Sequence, residues 1–278
     1  MLLKKSLILL CCVFSSTAFA ERWFEVEVLI FKQRPAPYLQ EDFSLEESPI
    51  RGKRPVDLLT PIYSEQAKQD CINGDSRFNS TTLTDSLIGA SHSNLCDDSI
   101  DYLASYDSLP LSPAAPARDD MQHTYLLAPE QLQFKSQQQA LVRKGLKPIL
   151  HTGWRFEGAS RSRSENIKLF GGKLLRAPSV ATPSIYSNND FISSLSSGES
   201  LIPAIGQQPD QWELDGNFNI YLRHYLFINA NFDVNERLPT GEIQHARFSQ
   251  FKRVISGEIH YFDHPKMGMI VQIRKFKH

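Results

Sequence analysis

The feature that most constrains the fold is an alternation of side-chain character running from Gly216 to Phe232. Phe218, Ile220, Leu222, His224, Leu226, Ile228, Ala230 and Phe232 occupy one set of alternate positions. Asn217, Asn219, Tyr221, Arg223, Tyr225, Phe227, Asn229 and Asn231 occupy the other. Successive side chains of an extended backbone point to opposite faces, so the pattern predicts an antiparallel strand with one apolar side and one polar, aromatic side. Leu238-Pro239-Thr240-Gly241 reads as a turn, a second long strand is expected from His245 to Tyr261, and a third from Gly268 to Phe276. Three consecutive strands of this kind form a meander.

The same period appears near the N-terminus, where Phe24, Val26, Val28 and Ile30 share one face and Glu25 and Glu27 the other. Leu29 and Phe31 make the second face apolar near the strand's end, so something is expected to cover it there. A helix is expected from about Pro129 to Lys144. Proline suits its first turn, and Gly145 supplies the stop. Lys147 to Trp154 reads as a further strand. The fold class predicted is α+β, a mostly antiparallel sheet of about five strands with one main helix. Residues 21–278 would form one domain carrying two long irregular insertions. The first, at about 33–124, is rich in Pro and Ser and holds Cys71 and Cys96, with a short helix around Ser64 to Asp70; the second is at 157–210. Arg161 and Arg163 fall in the second insertion and read as a solvated loop.

Residues 1–20 read as an export leader. Lys4 and Lys5 precede an apolar run from Ser6 to Phe14, and Ala18-Phe19-Ala20 offers a peptidase site. Its removal would leave 258 of 278 residues and, with two lysines gone, move the net charge from −1 to −3. The expected location is the periplasm. Ile8-Leu9-Leu10 before Cys11 lacks the small residues that lipid attachment prefers. No later stretch holds the roughly 18 consecutive apolar residues of a bilayer span. A near-neutral balance gives no footprint for nucleic acid, and 41% hydrophobic residues exclude disorder throughout. In an oxidising compartment Cys71 and Cys96 most simply form one disulfide, and no C-x-x-C favours a redox or metal pair.

Glu258, His260, Asp263 and His264 are the most tempting metal-ligand cluster, with His260 and His264 at i, i+4. Asp263-His264-Pro265 reads better as the turn that ends a strand, so no metal or other cofactor is expected. His224 reads as a hydrogen-bonded core or edge histidine. G-x-S-x-G, H-E-x-x-H and phosphate-loop motifs are missing, and no catalytic residue is assigned. A glycan ligand needs exposed rings for its C–H faces and, for stem-peptide carboxylates, arginine. Tyr221, Arg223 and Tyr225, together with Trp154 and Arg155, offer that combination. The competing reading buries these rings as a second core layer.

The string Glu258-Ile259-His260-Tyr261-Phe262-Asp263-His264-Pro265, with Phe24 to Phe31, Leu150 to Arg155 and Leu214 to Leu226, resembles the CsiV family of periplasmic peptidoglycan-binding proteins. That resemblance implies a non-enzymatic accessory of cell-wall synthesis. Its partners would be peptidoglycan and the outer-membrane lipoprotein that activates a bifunctional penicillin-binding protein. The alternatives are a metal-dependent or glycan-cleaving hydrolase, and a structural interaction subunit without glycan affinity.

Overall fold

The computed structural model describes residues 22–34, 53–78, 96–176 and 210–277. The leader at 1–20 and the serine-rich 193–200 lie outside the described residues. Among the described residues, ten strands form two five-stranded sheets. The first has the order β3 (Tyr125–Leu126), β4 (Lys147–Glu157), β1 (Trp23–Lys32), β10 (Met267–Lys275), β9 (Ile259–Asp263). The second has the order β2 (Val56–Asp57), β5 (Asn166–Leu175), β6 (Gln211–Leu222), β7 (Leu226–Arg237), β8 (Ile243–Val254). All neighbouring strands are antiparallel except β2 and β5. The described residues also form two α-helices, α1 (Leu59–Ile72) and α2 (Lys135–Arg143).

The α+β class is as the alternation predicts, but the strands divide between two sheets whose apolar faces meet in one core. Val26, Val28 and Ile30 of β1 join Phe218, Ile228 and Phe232 of the second sheet there. Trp154 meets Phe218 edge to face, centroids 5.4 Å apart. Two breaks escaped the periodicity. The run from Gly216 to Phe232 is two strands joined by the loop Arg223-His224-Tyr225, with Leu222 paired to Leu226. A three-residue loop leaves partners with the same parity, so alternation continues through the turn unaltered. His224 is accordingly exposed in the loop and not on an apolar face. The stretch from His245 to Tyr261 also divides. β8 closes the second sheet, Gly257 turns the chain at φ +93, and β9 joins the first sheet. Only glycine adopts that backbone without strain.

The two zones read as irregular contain regular structure. β5 carries Ile167, Leu169 and Phe170 into the core. Helix α1 exceeds the short helix expected there. Asp57 Oδ1 accepts the backbone N–H groups of Leu59 and Thr60 at 3.1 and 2.9 Å, and Pro61 sits harmlessly in the first turn. Its buried residues are Leu59, Tyr63, Ala67 and Cys71, a stripe one residue wide with four-residue spacing. Tyr63 packs on Phe170 at 6.2 Å, outside the second sheet. Cys71 and Cys96 are bonded, fastening α1 to the segment 96–106 across a separation of 25 residues. Replacing both by serine is expected to lower stability by about 3 kcal/mol, measured as a shift of the urea midpoint against the oxidised parent.

Helix α2 covers the outer face of the first sheet, where Leu29, Phe31, Phe134 and Leu141 make a second, smaller core. This is the cover that Leu29 and Phe31 imply. It also buries Glu27 completely. Glu27 Oε1 accepts the N–H groups of Gln133 and Phe134 at 2.7 and 2.6 Å and meets His151 Nε2 at 2.8 Å, while Oε2 takes Arg274 at 3.0 Å. A carboxylate at the helix N-terminus satisfies free N–H groups and favours the macrodipole. Because Glu27 takes those two donors, the expected helix begins as a separate 3-10 turn at Pro129–Gln131 and only then as α2. Gly145, at φ +71, ends it as expected.

Candidate functional site: an aromatic and arginine strip at the hairpin end

At the end of the second sheet where β6 turns into β7, the outward positions are aromatic. Tyr221 and Phe227 are cross-strand partners with rings 5.1 Å apart and tilted by 15°. Phe251 of β8 adds a third ring, 5.7 Å from Phe227 and within 4° of parallel. Phe251 is 61% exposed, and Tyr225 in the hairpin loop 51%. The row is framed by cations. The Arg161 guanidinium lies 5.9 Å from the Tyr221 ring, Arg253 sits 4.5 Å over Tyr225, and Arg223 projects from the loop.

Further along the same face the strands carry asparagine. Asn219 is opposite Asn229 and Asn217 opposite Asn231. Asn231 donates through Nδ2 to Asn229 Oδ1 at 3.2 Å, and its Oδ1 accepts the Ser249 hydroxyl at 2.7 Å. Asn219 Nδ2 ties the sheet to the loop before β5, donating to Ser164 Oγ and the Glu165 carbonyl. The result is a flat strip, aromatic and cationic at one end and amide-lined in the middle. Rings suit the C–H faces of a sugar, amides its hydroxyls, and guanidinium groups a carboxylate.

Of the residues picked out in the sequence, Arg223 and Tyr225 stand at the exposed tip, and Tyr221 lies beneath them as the inner ring of the row, 6% exposed. Trp154 and Arg155 must be withdrawn from the contact surface, since each is only 1% exposed. Trp154 packs into the core between the sheets. Arg155 holds the outer face of the first sheet together: it meets Glu25 at 2.5 Å, Asp119 at 3.2 Å and the Tyr125 hydroxyl, with Phe276 against its guanidinium plane at 3.5 Å. Strand β4 is covered on both sides, which a short apolar run with one aromatic and one cation cannot disclose. Phe227, Phe251, Arg161 and Arg253 join the strip without having been singled out. The one available signal was the aromatic residue at positions that otherwise read as the polar side of a strand.

The cluster at 258–264 lies along β9 and the turn that ends it. His260 Nε2 lies 3.0 Å from the backbone N of Ile255 and 3.2 Å from its carbonyl oxygen. His264 Nδ1 accepts the N–H of Lys266, and its ring stands edge-on to Phe248. Asp263 Oδ1 accepts the Tyr261 hydroxyl at 2.7 Å and Gln33 Nε2 at 3.1 Å, while Glu258 is exposed. Among the described residues no three His, Cys, Asp or Glu side chains converge as a metal site, and no helix is long and apolar enough to cross a membrane.

The family model described as "Peptidoglycan-binding protein, CsiV" matches residues 2–276. No curated protein and no solved structure matches the chain.

Proposed function

The chain belongs to the CsiV family of peptidoglycan-binding proteins, and from that premise we propose a periplasmic, non-enzymatic accessory that holds peptidoglycan on the hairpin-end strip. In this reading the protein is exported by the leader at 1–20. It supports wall synthesis by assisting the outer-membrane lipoprotein that activates a bifunctional penicillin-binding protein. The observation that carries the binding role is the pairing of exposed rings, Tyr225 and Phe251, with Arg161, Arg223 and Arg253 on one open face. Glycan and acidic stem peptide present the two complementary chemistries side by side.

Sedimentation with purified sacculi tests it. The mature protein is expected to pellet with the wall material. A variant with Arg223→Ala, Tyr225→Ala and Phe251→Ala is expected to bind at least tenfold more weakly, about 1.4 kcal/mol, while folding normally because all three side chains are exposed. No soluble fragments should be released from the sacculi. Release abolished by a chelator would instead establish a metal-dependent hydrolase. Wild-type protein that stays wholly in the supernatant would refute the binding role.

A further inference from the structure

We infer that a cleft beside the strip is a separate saccharide subsite that takes one N-acetylated amino-sugar residue; the inference rests on the peptidoglycan reading above. The cleft opens between the two sheets at the same end of the sandwich and encloses about 240 Å³. Its floor is apolar, formed by Trp23, Trp154, Phe156 and Ile220. Its rim is polar, with Gln122, His123 and Thr124 on one side and Glu157, Arg163 and Glu165 on the other.

The rim side chains are uncommitted. Some charged side chains of the protein are knitted together, as in Arg155 with Glu25 and Arg247 with Asp233, but none of the six rim side chains makes a hydrogen bond or ion pair to another described residue. In addition, the indole N–H of Trp23, a residue only 5% exposed, has no acceptor among the described residues. A buried donor left without a partner is uncommon enough to call for an explanation. An apolar floor under uncommitted donors and acceptors is the anatomy of a small-molecule site.

The rim chemistry selects among the parts of peptidoglycan. Two carboxylates, Glu157 and Glu165, stand beside the single cation Arg163, so an acidic stem peptide is repelled as much as attracted. A neutral ligand with donors, acceptors and an apolar face matches better. An acetamido sugar has all three, with methyl and C–H groups to face the apolar floor and hydroxyls and an amide to reach the rim. The volume lies below the roughly 300 Å³ at which larger ligand pockets begin, which suits a single residue. Residues 158–165 border both sites: Arg163 lines the cleft, Arg161 reaches Tyr221, and the Ala159 carbonyl accepts the N–H of Leu222. One glycan strand could therefore lodge a sugar in the cleft and lay its acidic peptide on the arginines of the strip.

The experiment is a titration of 15N-labelled mature protein followed through its three tryptophan indole signals, with Trp212→Phe used for assignment. Two of the rings line the cleft, while Trp212 packs on Phe170 at 5.9 Å, well away from it. A tetramer of N-acetylglucosamine, which carries no peptide, is expected to move the Trp23 and Trp154 signals saturably and leave Trp212 in place. A glucose tetramer should move none of them. Glu157→Ala with Arg163→Ala, both exposed and unpartnered, should weaken the response at least tenfold with the spectrum otherwise preserved. If the indole signals stay still at millimolar tetramer while sacculi are still bound, the subsite is refuted and the strip alone carries binding. If both tetramers act equally, the acetamido selection is refuted. Loss of sacculus binding as well would remove the peptidoglycan reading itself.

Discussion

Replacing Glu27 by alanine is expected to cost about 3–5 kcal/mol, the penalty for breaking a buried ion pair and stranding its partner. For a chain of this size that is a fall in melting temperature on the order of 6–20 °C. The expectation follows from what the carboxylate holds: two N–H groups ahead of α2, the buried ring of His151, and Arg274. Without it, α2 loses its anchor to the sheet and two cationic or polar partners are left in an apolar layer. Thermal unfolding followed by circular dichroism measures the loss. A change of less than 1 kcal/mol would mean that Glu27 does not carry the contact between helix and sheet.

The same group sets the acid limb of stability. Burial pushes the Glu27 carboxyl up, but the hydrogen bonds from His151, the N–H groups of Phe134 and Gln133, and Arg274 outweigh it and hold its pKa below 4.5. Glu213 and Glu236 behave alike: burial raises each, and the ammonium groups of Lys32, Lys147 and Lys266 pull them down. A carboxyl with a lowered folded pKa contributes stability that is complete above its unfolded value and drains away as pH falls through the folded one. Lys32 marks the alkaline limit. Burial lowers its pKa, but Glu213 and Glu236 raise it above 10.5, so its contribution is complete below 10.5 and lost as pH rises through the folded value. Asp215 opposes the acid trend, since burial raises its pKa and its ionisation costs stability. Glu27, Glu213 and Glu236, joined by Asp75, Asp97 and Asp120, are lowered against the one raised, Asp215. Urea midpoints should therefore form a plateau from about pH 5 to pH 10 and fall on the acid side, with Glu27→Gln flattening that fall.

Trp154→Ala is expected to be comparably severe, about 3–5 kcal/mol, because the ring fills the centre of the sandwich and its removal leaves a cavity against Phe218. The contrast with the tip is diagnostic. Tyr225→Ala should weaken sacculus binding and leave the melting temperature nearly unchanged, whereas Trp154→Ala should unfold the protein at a lower temperature. Equal melting temperatures for the two variants would overturn the assignment of Trp154 to the core.

What the sequence disclosed was decided by period. Strands β1, β6, β7 and β10 alternate on their inward faces, so their existence and those faces are legible in the sequence. Their distribution between two sheets was not, because a three-residue hairpin preserves parity and Gly257 marks a crossing only in three dimensions. Helix α1 was only partly seen, since its stripe mixes Leu59, Tyr63, Ala67 and Cys71 and its first turn contains Pro61. At the site, Tyr221, Arg223 and Tyr225 were legible because they set rings and a guanidinium on the polar side of a strand. Trp154 and Arg155 looked equivalent on paper. Trp154 is buried by the facing sheet and Arg155 by residues 118–125 and Phe276, all distant in sequence. Glu27 shows the same limit, for a charge on the second side of a strand reads as solvated until a helix is known to lie there.

The place of β1 has a consequence for how the chain reaches its final form. It is the first strand of the described chain, yet it lies in the middle of its sheet between β4 and β10, with Phe24 matched to Lys275. Closing so wide a span is entropically costly and slow. Whichever end of the chain is free to fold first, the central strand must wait, half-zipped, until the opposite end of the sequence arrives. Truncation by as few as ten residues at the far end would leave it permanently without one neighbour.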